Sequence, residues 1–260
     1  MNAISDRKAM FTMKSLYKMS WMEAKLFMRE PISVFFTLAF PLIMLFIFGT
    51  IYSNVPVEQG SGIPEGIGGL IPAFMSMVIG ITGLMGITIT MATYRENGIL
   101  RRLRATPVTP LVVLTAQVAV VFTMTALGAL LLVVAGMLVY QVRFEGHFIS
   151  MASGFVLSSL SFFSIGFILA GTLPTARSAQ IVALVLLYPM LILSGAAWPR
   201  ELMPTTVQKI ADFLPLTYVV NLLGGLWAGS PWENHLLDIG VLAAILLLGL
   251  LVSARIFRWE

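Results

Sequence analysis

The chain has 260 residues, 58% of them hydrophobic and 11% charged, with a net charge of +4 and a mean hydropathy of +0.93. Soluble domains carry about 25% charged residues, so this composition excludes a water-covered globule and indicates one membrane domain whose periphery is apolar. The absence of cysteine excludes disulfides, thiolate metal sites and a cysteine nucleophile.

In chain order, residues 1–31 come first and lack the apolar centre of a leader peptide, so a retained N-terminus is expected. Lys14, Lys18, Lys25 and Arg29 alternate at helical spacing with Leu16, Met19, Met22 and Leu26. This predicts an amphipathic interface helix with Trp21 at the boundary between headgroups and hydrocarbon. Pro31 turns the chain into the bilayer.

Six runs without Asp, Glu, Lys or Arg follow, at 32–52, 70–93, 111–140, 148–173, 179–197 and 239–254. They approach or exceed the roughly 20 residues of a spanning helix. The third is longer than required, which predicts tilt or an extension beyond the lipid. Of the sixteen Lys and Arg residues, all but Arg143, Arg200 and Lys209 fall on one side of this layout. By the positive-inside rule that side is cytoplasmic, with both termini on it, and the basic excess is explained by topology without nucleic acid.

Between spans five and six, residues 198–230 contain an amphipathic piece, Arg200 to Phe213, and a shorter apolar piece after Pro215, Leu216 to Trp227. Each is too short to cross. A seventh span would place Arg255 and Arg258 outside, so the expectation is a re-entrant helical hairpin that dips into the outer leaflet. The Gly- and Pro-rich stretch Ser53 to Gly69 reads as a flexible external connection.

Chemistry is sparse. There is no G-x-x-x-x-G-K-S/T, and no lysine follows a glycine, so this chain holds no nucleotide in a Walker A loop. Gly-x-Ser-x-Gly is absent. His147 and His235 fall in predicted external loops without a second histidine at ligand spacing, and solvated side chains are expected. The runs hold no ionisable group of the kind that marks an intramembrane hydrolase or an ion-coupled carrier. If the chain moves a cargo, the energy comes from a partner. One face of span two, Thr82, Gly86, Thr90 and Thr93 with Met75 and Met85 nearby, suits either helix packing or the lining of a translocation path. The loop 94–110 is the sharpest local feature. Ile99, Leu100 and Leu103 share a short helical face beside Arg101, Arg102 and Arg104, and two Thr-Pro steps end it. A topology signal alone explains the arginines and leaves the interleaved apolar residues unexplained.

Two segments, RENGILRRLRATPVTP and LSGAAWPRELMPTTVQKIADFLPLTYVVNLLGG, together with the six-span layout, resemble the membrane subunits of type-2 ABC exporters, the ABC-2 permease family. The resemblance implies an all-α integral membrane permease with six transmembrane helices, an N-terminal interface helix and an external hairpin between helices 5 and 6. It implies a coupling helix in which Arg95, Glu96, Gly98, Leu100, Arg101, Arg102, Leu103 and Arg104 meet an ATPase. Such loops often carry an acid where this chain has Tyr94. It also implies an external gate shaped by Ser194, Gly195, Pro199, Met203, Pro204, Leu214, Pro215, Leu216, Thr217 and Tyr218. Two separately encoded ABC ATPase subunits would bind ATP and Mg, this chain binding no cofactor and not itself being an enzyme. A second permease chain would complete the assembly, a homodimer being placed ahead of a heterodimer. The implied function is export of a drug, antibiotic or lipid-like molecule across the bacterial cytoplasmic (inner) membrane by alternating access. Export of a lipid-linked polysaccharide is the alternative within the class. A membrane-embedded enzyme or scaffold is the alternative outside it.

Overall fold

A computed structural model describes residues 16–53, 66–99, 102, 110–198, 200 and 203–256. The described residues form helices and connections without a strand. Helix α1 covers 16–28. Helix α2 is built from Pro31–Val34, a π segment Phe35–Ala39, and Phe40–Ser53, with Pro31 in its first turn. A proline there loses no bond, because its missing N–H would have no intrahelical partner.

Helix α3 starts as a 3-10 turn, Gly66–Gly69, and continues as Leu70–Gly80, a π segment Ile81–Ile87, and Thr88–Glu96. Helices α4 (Pro110–Tyr140), α5 (Phe148–Thr172) and α6 (Ala176–Leu193) follow. The short α7 (Thr205–Ala211) and α8 (Pro215–Trp227) form the hairpin, and α9 (Leu236–Ile256) ends the described chain. Among the described residues six helices, α2 to α6 and α9, are long and apolar enough to span a bilayer, so this is a multi-span membrane protein.

Helix α3 is the centre of the bundle, with 83% of its most apolar stretch buried, against 17% for α9. Phe74, Met77, Ile79, Leu84, Ile87 and Met91 are all but fully enclosed. Leu127, Leu130 and Leu138 of α4, Ile181 and Val185 of α6, and Leu247 to Leu251 of α9 supply much of the exposed apolar periphery. Lipid accepts such a surface without cost.

The α3–α5 crossing is a backbone contact. A Cβ on Gly166 would stand 2.2 Å from the Gly83 carbonyl oxygen, and one on Gly83 would stand 2.7 Å from Phe162 Cβ. Only hydrogen fits at either position, which is how small residues hold membrane helices together. Thr88 Oγ1 then donates across the same interface to the Gly166 carbonyl at 3.2 Å.

The direction of α9 decides the topology of the hairpin. Ser161 Oγ reaches the Leu242 carbonyl at 2.8 Å and Ser164 Oγ reaches the Ile245 carbonyl at 3.3 Å, so α5 and α9 run parallel. Helix α5 begins where α4 ends, and α9 therefore begins on the face where α6 ends. The chain between them returns to the face it left, which a seventh crossing would forbid. The bend between α7 and α8 is 97°. Leu216 lies beside Gly80 and Leu187, well inside the bundle, whereas Leu226 lies beside Gly154, near the start of α5. Helix α8 thus climbs from the interior back to its own face. That face is the hairpin face, and the opposite one, bearing α1 and the end of α9, is the terminal face.

Several boundaries differ from the sequence expectation. Span five ends at Leu193, four residues early, because Gly195 takes φ +93° and breaks the helix. The last span begins at Leu236 and includes Asp238, only 8% exposed, so the spans are not free of ionisable groups. Of the amphipathic piece expected from Arg200 to Phe213, the described residues form an α-helix over α7, and residues 201–202 lie outside the described residues.

Candidate functional site

The last turn of α3 ties three other parts of the terminal face together. Arg95 donates from one guanidinium nitrogen to the Gly171 carbonyl at 2.8 Å and from the other to the Leu173 carbonyl. Both acceptors belong to the C-terminal end of α5, where carbonyls lack helical partners and the dipole is negative. The next residue does the reverse. Glu96 Oε2 accepts from the Ala176 backbone N–H at 2.7 Å, at the positive first turn of α6. Adjacent charges of opposite sign therefore each meet the helix end that suits them, and the turn Leu173–Thr175 is held between them. Thr175 and Ser178 complete the α6 start as a capping box.

Tyr94 reaches the other way. Its hydroxyl donates to Glu23 Oε2 of α1 at 2.8 Å, so an acid from α1 stands beside position 94. Glu23 is 4% exposed. Burial pushes its carboxyl above the ordinary value of 4.5, and the Tyr94 hydrogen bond offsets part of that rise. Around this bond Met19 packs on Val112, Val113 and Ala116 of α4. The inward face of α1 is therefore Met19 and Glu23, while Trp21, Met22 and Leu26 are exposed. Lys25 Nζ sits 5.4 Å from the centre of the Trp21 ring.

Gly98 ends α3 with φ +64°, a conformation that suits glycine, and the exposed Arg102 bonds through its N–H to the Gly98 carbonyl. Leu100, Arg101, Leu103 and Arg104 lie outside the described residues. Of the expected coupling set, Arg95 and Glu96 are thus engaged within the chain, and Arg102 is open to solvent.

The face expected on span two is divided. Met75 and Thr82 are buried, whereas Met85, Gly86, Thr90 and Thr93 are partly exposed, and a Cβ on Gly86 would meet open space. The cause is the π segment, whose i→i+5 bonding shifts the register that a uniform helix would keep. Thr82 is turned onto α4, where its hydroxyl lies 3.0 Å from that of Thr125. Thr93 bonds its own Ile89 carbonyl.

On the hairpin face, several of the residues expected to shape a gate are brought together. Ser194 is fully buried and its Oγ accepts from Ala196 N–H. Thr217 Oγ1 donates to the Ala211 carbonyl at 2.6 Å, and Tyr218 Oη donates to the Asp212 carbonyl at 2.7 Å. Together they close the 97° bend. Arg200 pairs with Asp212 and also donates to the Gln208 carbonyl, and Gln208 Nε2 donates to Met203 O at 2.9 Å. Pro204 precedes α7, Leu214 and Pro215 open α8, and Leu216 is fully buried. Pro199 lies outside the described residues.

The expectation of two solvated histidines is corrected for one of them. His147 is exposed, but the His235 side chain is 13% exposed and pairs with Asp238 at 3.1 Å, its ring set against Gly225 of α8. Sequence reasoning missed this pair, together with Glu23, Thr125 and the Arg200–Gln208–Asp212 knot. The i,i+3 spacing of His235 and Asp238, and Glu23 four residues after Met19, were the available signals. The Thr82–Thr125 contact had none.

The ABC-2 type transporter family matches residues 14–226. Among individual proteins, the chain is similar to "Nodulation protein J" of Rhizobium leguminosarum bv. viciae, at 33% identity over 102 residues, 39% of each chain. It is similar to "Inner membrane transport permease YhhJ" of Escherichia coli (strain K12), at 30% identity over 147 residues, 54% of this chain and 38% of that one. It is also similar to "Probable multidrug ABC transporter permease YbhR" of the same organism, at 23% identity over 153 residues, 59% of this chain and 42% of that one. The matched stretches span about two fifths of the length of these relatives.

Proposed function

Because the chain belongs to the ABC-2 type transporter family, we propose that it is the membrane permease of an ATP-driven exporter of hydrophobic or amphipathic small molecules. Its terminal face looks into the bacterial cytoplasm, as the charge sorting requires. There the loop 97–110 meets one of two separately encoded ATPase subunits, which hold ATP and Mg, and a second permease chain completes the path. A homodimer is the simplest assembly.

One observation carries this reading: Tyr94, Arg95 and Glu96, at the base of the loop, are bonded to α1, to the end of α5 and to the start of α6. A displacement delivered at the loop is handed to α1, α3, α5 and α6 as one body, which is the rigid-element movement that alternating access needs. Such a lever fits energy supplied from outside the chain. It gives an internal ion-binding site no role.

The test replaces Leu100 and Leu103 together with aspartate. Membrane insertion should persist while the permease loses its stimulation of ATP turnover and its transport. Unchanged stimulation would remove the loop as the docking element. The relative described as a multidrug permease supports a drug-like cargo, and a turnover assay run with drug-like amphiphiles and with lipid-linked polysaccharide decides between the two exporters. Failure to copurify with any ATPase would favour an enzyme or scaffold.

A further inference from the structure

The hairpin face contains a cavity of 600 Å³ that plays no part in the lever. Its walls come from the start of α3, the end of α4 and the segment after it, the end of α6, and α8. Apolar surface is supplied by Ile67, Val142, Val220 and Trp227, while Arg143 and Glu145, two residues apart, are its free charges. Neither makes an ion pair or side-chain hydrogen bond among the described residues. The other arginine of the wall, Arg200, is already taken by Asp212 and the Gln208 carbonyl.

The edge carrying the two charges is built rigidly. Gln141 ends α4 at φ +54°, an uncommon conformation for a residue with a side chain. Phe144 then stacks edge-on against Trp227, ring centres 5.0 Å apart. Gly146 lies against the Leu226 carbonyl so closely that a Cβ would stand 1.9 Å from it. The backbone that carries Arg143 and Glu145 is therefore fixed, and the two exposed side chains, without an ion pair among the described residues, stand on the rim of an apolar chamber.

We propose that this cavity binds an amphiphile whose headgroup joins a phosphate to a primary ammonium. A guanidinium fits phosphate geometry with paired donors, and a carboxylate accepts hydrogen bonds from a primary ammonium, which a quaternary one lacks. The apolar wall takes the chain attached to the head. At 600 Å³ the chamber lies within the usual range of about 300–1,000 Å³ for small-molecule sites. The site stands independently of the exporter reading, because binding needs neither ATP nor a partner.

The experiment titrates the purified full chain, in an uncharged maltoside detergent, with short-chain lipids by calorimetry. Dihexanoyl phosphatidylethanolamine should bind saturably, and at least tenfold more tightly than dihexanoyl phosphatidylcholine or dihexanoyl phosphatidylglycerol. Arg143→Gln should weaken phosphatidylethanolamine binding about tenfold. Glu145→Gln should erase the preference for ethanolamine over choline. Gly224→Leu should abolish binding, since Gly224 lines the cavity and a Cβ there meets open space, so the added side chain enters the chamber. Equal affinity for the three lipids, or unchanged binding in Gly224→Leu, overturns the proposal. If that variant does not fold, the two exposed rim substitutions carry the decision alone. Glycerophosphoethanolamine separates the sources of the headgroup: binding as tight as that of the lipid assigns a soluble phosphoamine, and binding that needs the acyl chains assigns a membrane lipid.

Discussion

The two ends of the bundle are braced in opposite ways. On the terminal face, the bonds made by Tyr94, Arg95 and Glu96 join residues 71 to 80 positions apart and tie three helices, α1, α5 and α6, to one turn of α3. On the hairpin face, Thr217, Tyr218, Arg200 and Gln208 reach partners 5 to 12 positions away, so the hairpin is tied chiefly to itself. A turn bonded to distant elements passes movement between them. A hairpin whose polar bonds are internal keeps its bend without bonds to distant elements, while α8 is seated in the core by Leu216, Val219 and Leu222.

Four substitutions test that contrast. The largest effect is expected from Arg95→Ala, which removes a charged donor from two carbonyls at the end of α5. Hydrogen bonds from charged groups contribute about 1.5–3 kcal/mol each, and transport coupled to ATP should fall at least tenfold in vesicles while hairpin-face lipid binding persists. Next comes Thr217→Val, which removes one of the two donors to the Ala211 carbonyl at a site 1% exposed and leaves the Leu214 N–H as the other. A stability loss of about 0.5–1.5 kcal/mol is expected in denaturant titration, with ATPase stimulation unaltered. Equal loss of coupling in both variants would erase the distinction between the two faces.

The third test uses pH. Because the folded-state pKa of Glu23 is raised above 4.5, the folded chain holds a proton in the window just above 4.5 that the unfolded chain has released. The seating of α1 therefore weakens as pH rises through that window, and is strongest below it. Glu23→Gln should flatten the dependence and hold α1 in place at neutral pH, read out by the exposed Trp21 fluorescence. Smallest is Thr125→Val, which removes one interhelical hydrogen bond between α3 and α4. About 0.6 kcal/mol is the average for such bonds in membranes.

The spans were legible because apolar length is a physical requirement of the bilayer, and composition alone reports it. The hairpin was legible for a related reason, since neither Arg200 to Phe213 nor Leu216 to Trp227 is long enough to cross. Register inside a helix was less accessible. Thr82 and Gly86 share a face in an unbroken helix, and only the π segment at Ile81–Ile87 separates them. Asp238 is hidden for another reason: apolar length alone starts the span after the last charge, yet Asp238, paired with His235, lies within a helix that begins two residues before the acid. The same pair explains Gly225, where a Cβ would stand 2.1 Å from His235 Nε2. The resemblance singles out Arg95 and Glu96 as part of an expected coupling segment. Their partners at Gly171, Leu173 and Ala176 could not be read from local sequence, because they belong to helices that arrive much later in the chain.

That late arrival has a consequence for biosynthesis. When α3 leaves the ribosome, Arg95 and Glu96 have no helix ends to meet, and a further 80 residues separate Glu96 from Ala176. At roughly 5–20 residues per second, that is an interval of about 4–16 s. Through it the nascent chain carries a loose, charged turn at the membrane surface. Only the insertion of α5 and α6 closes it, so the lever locks after its last moving part has been made.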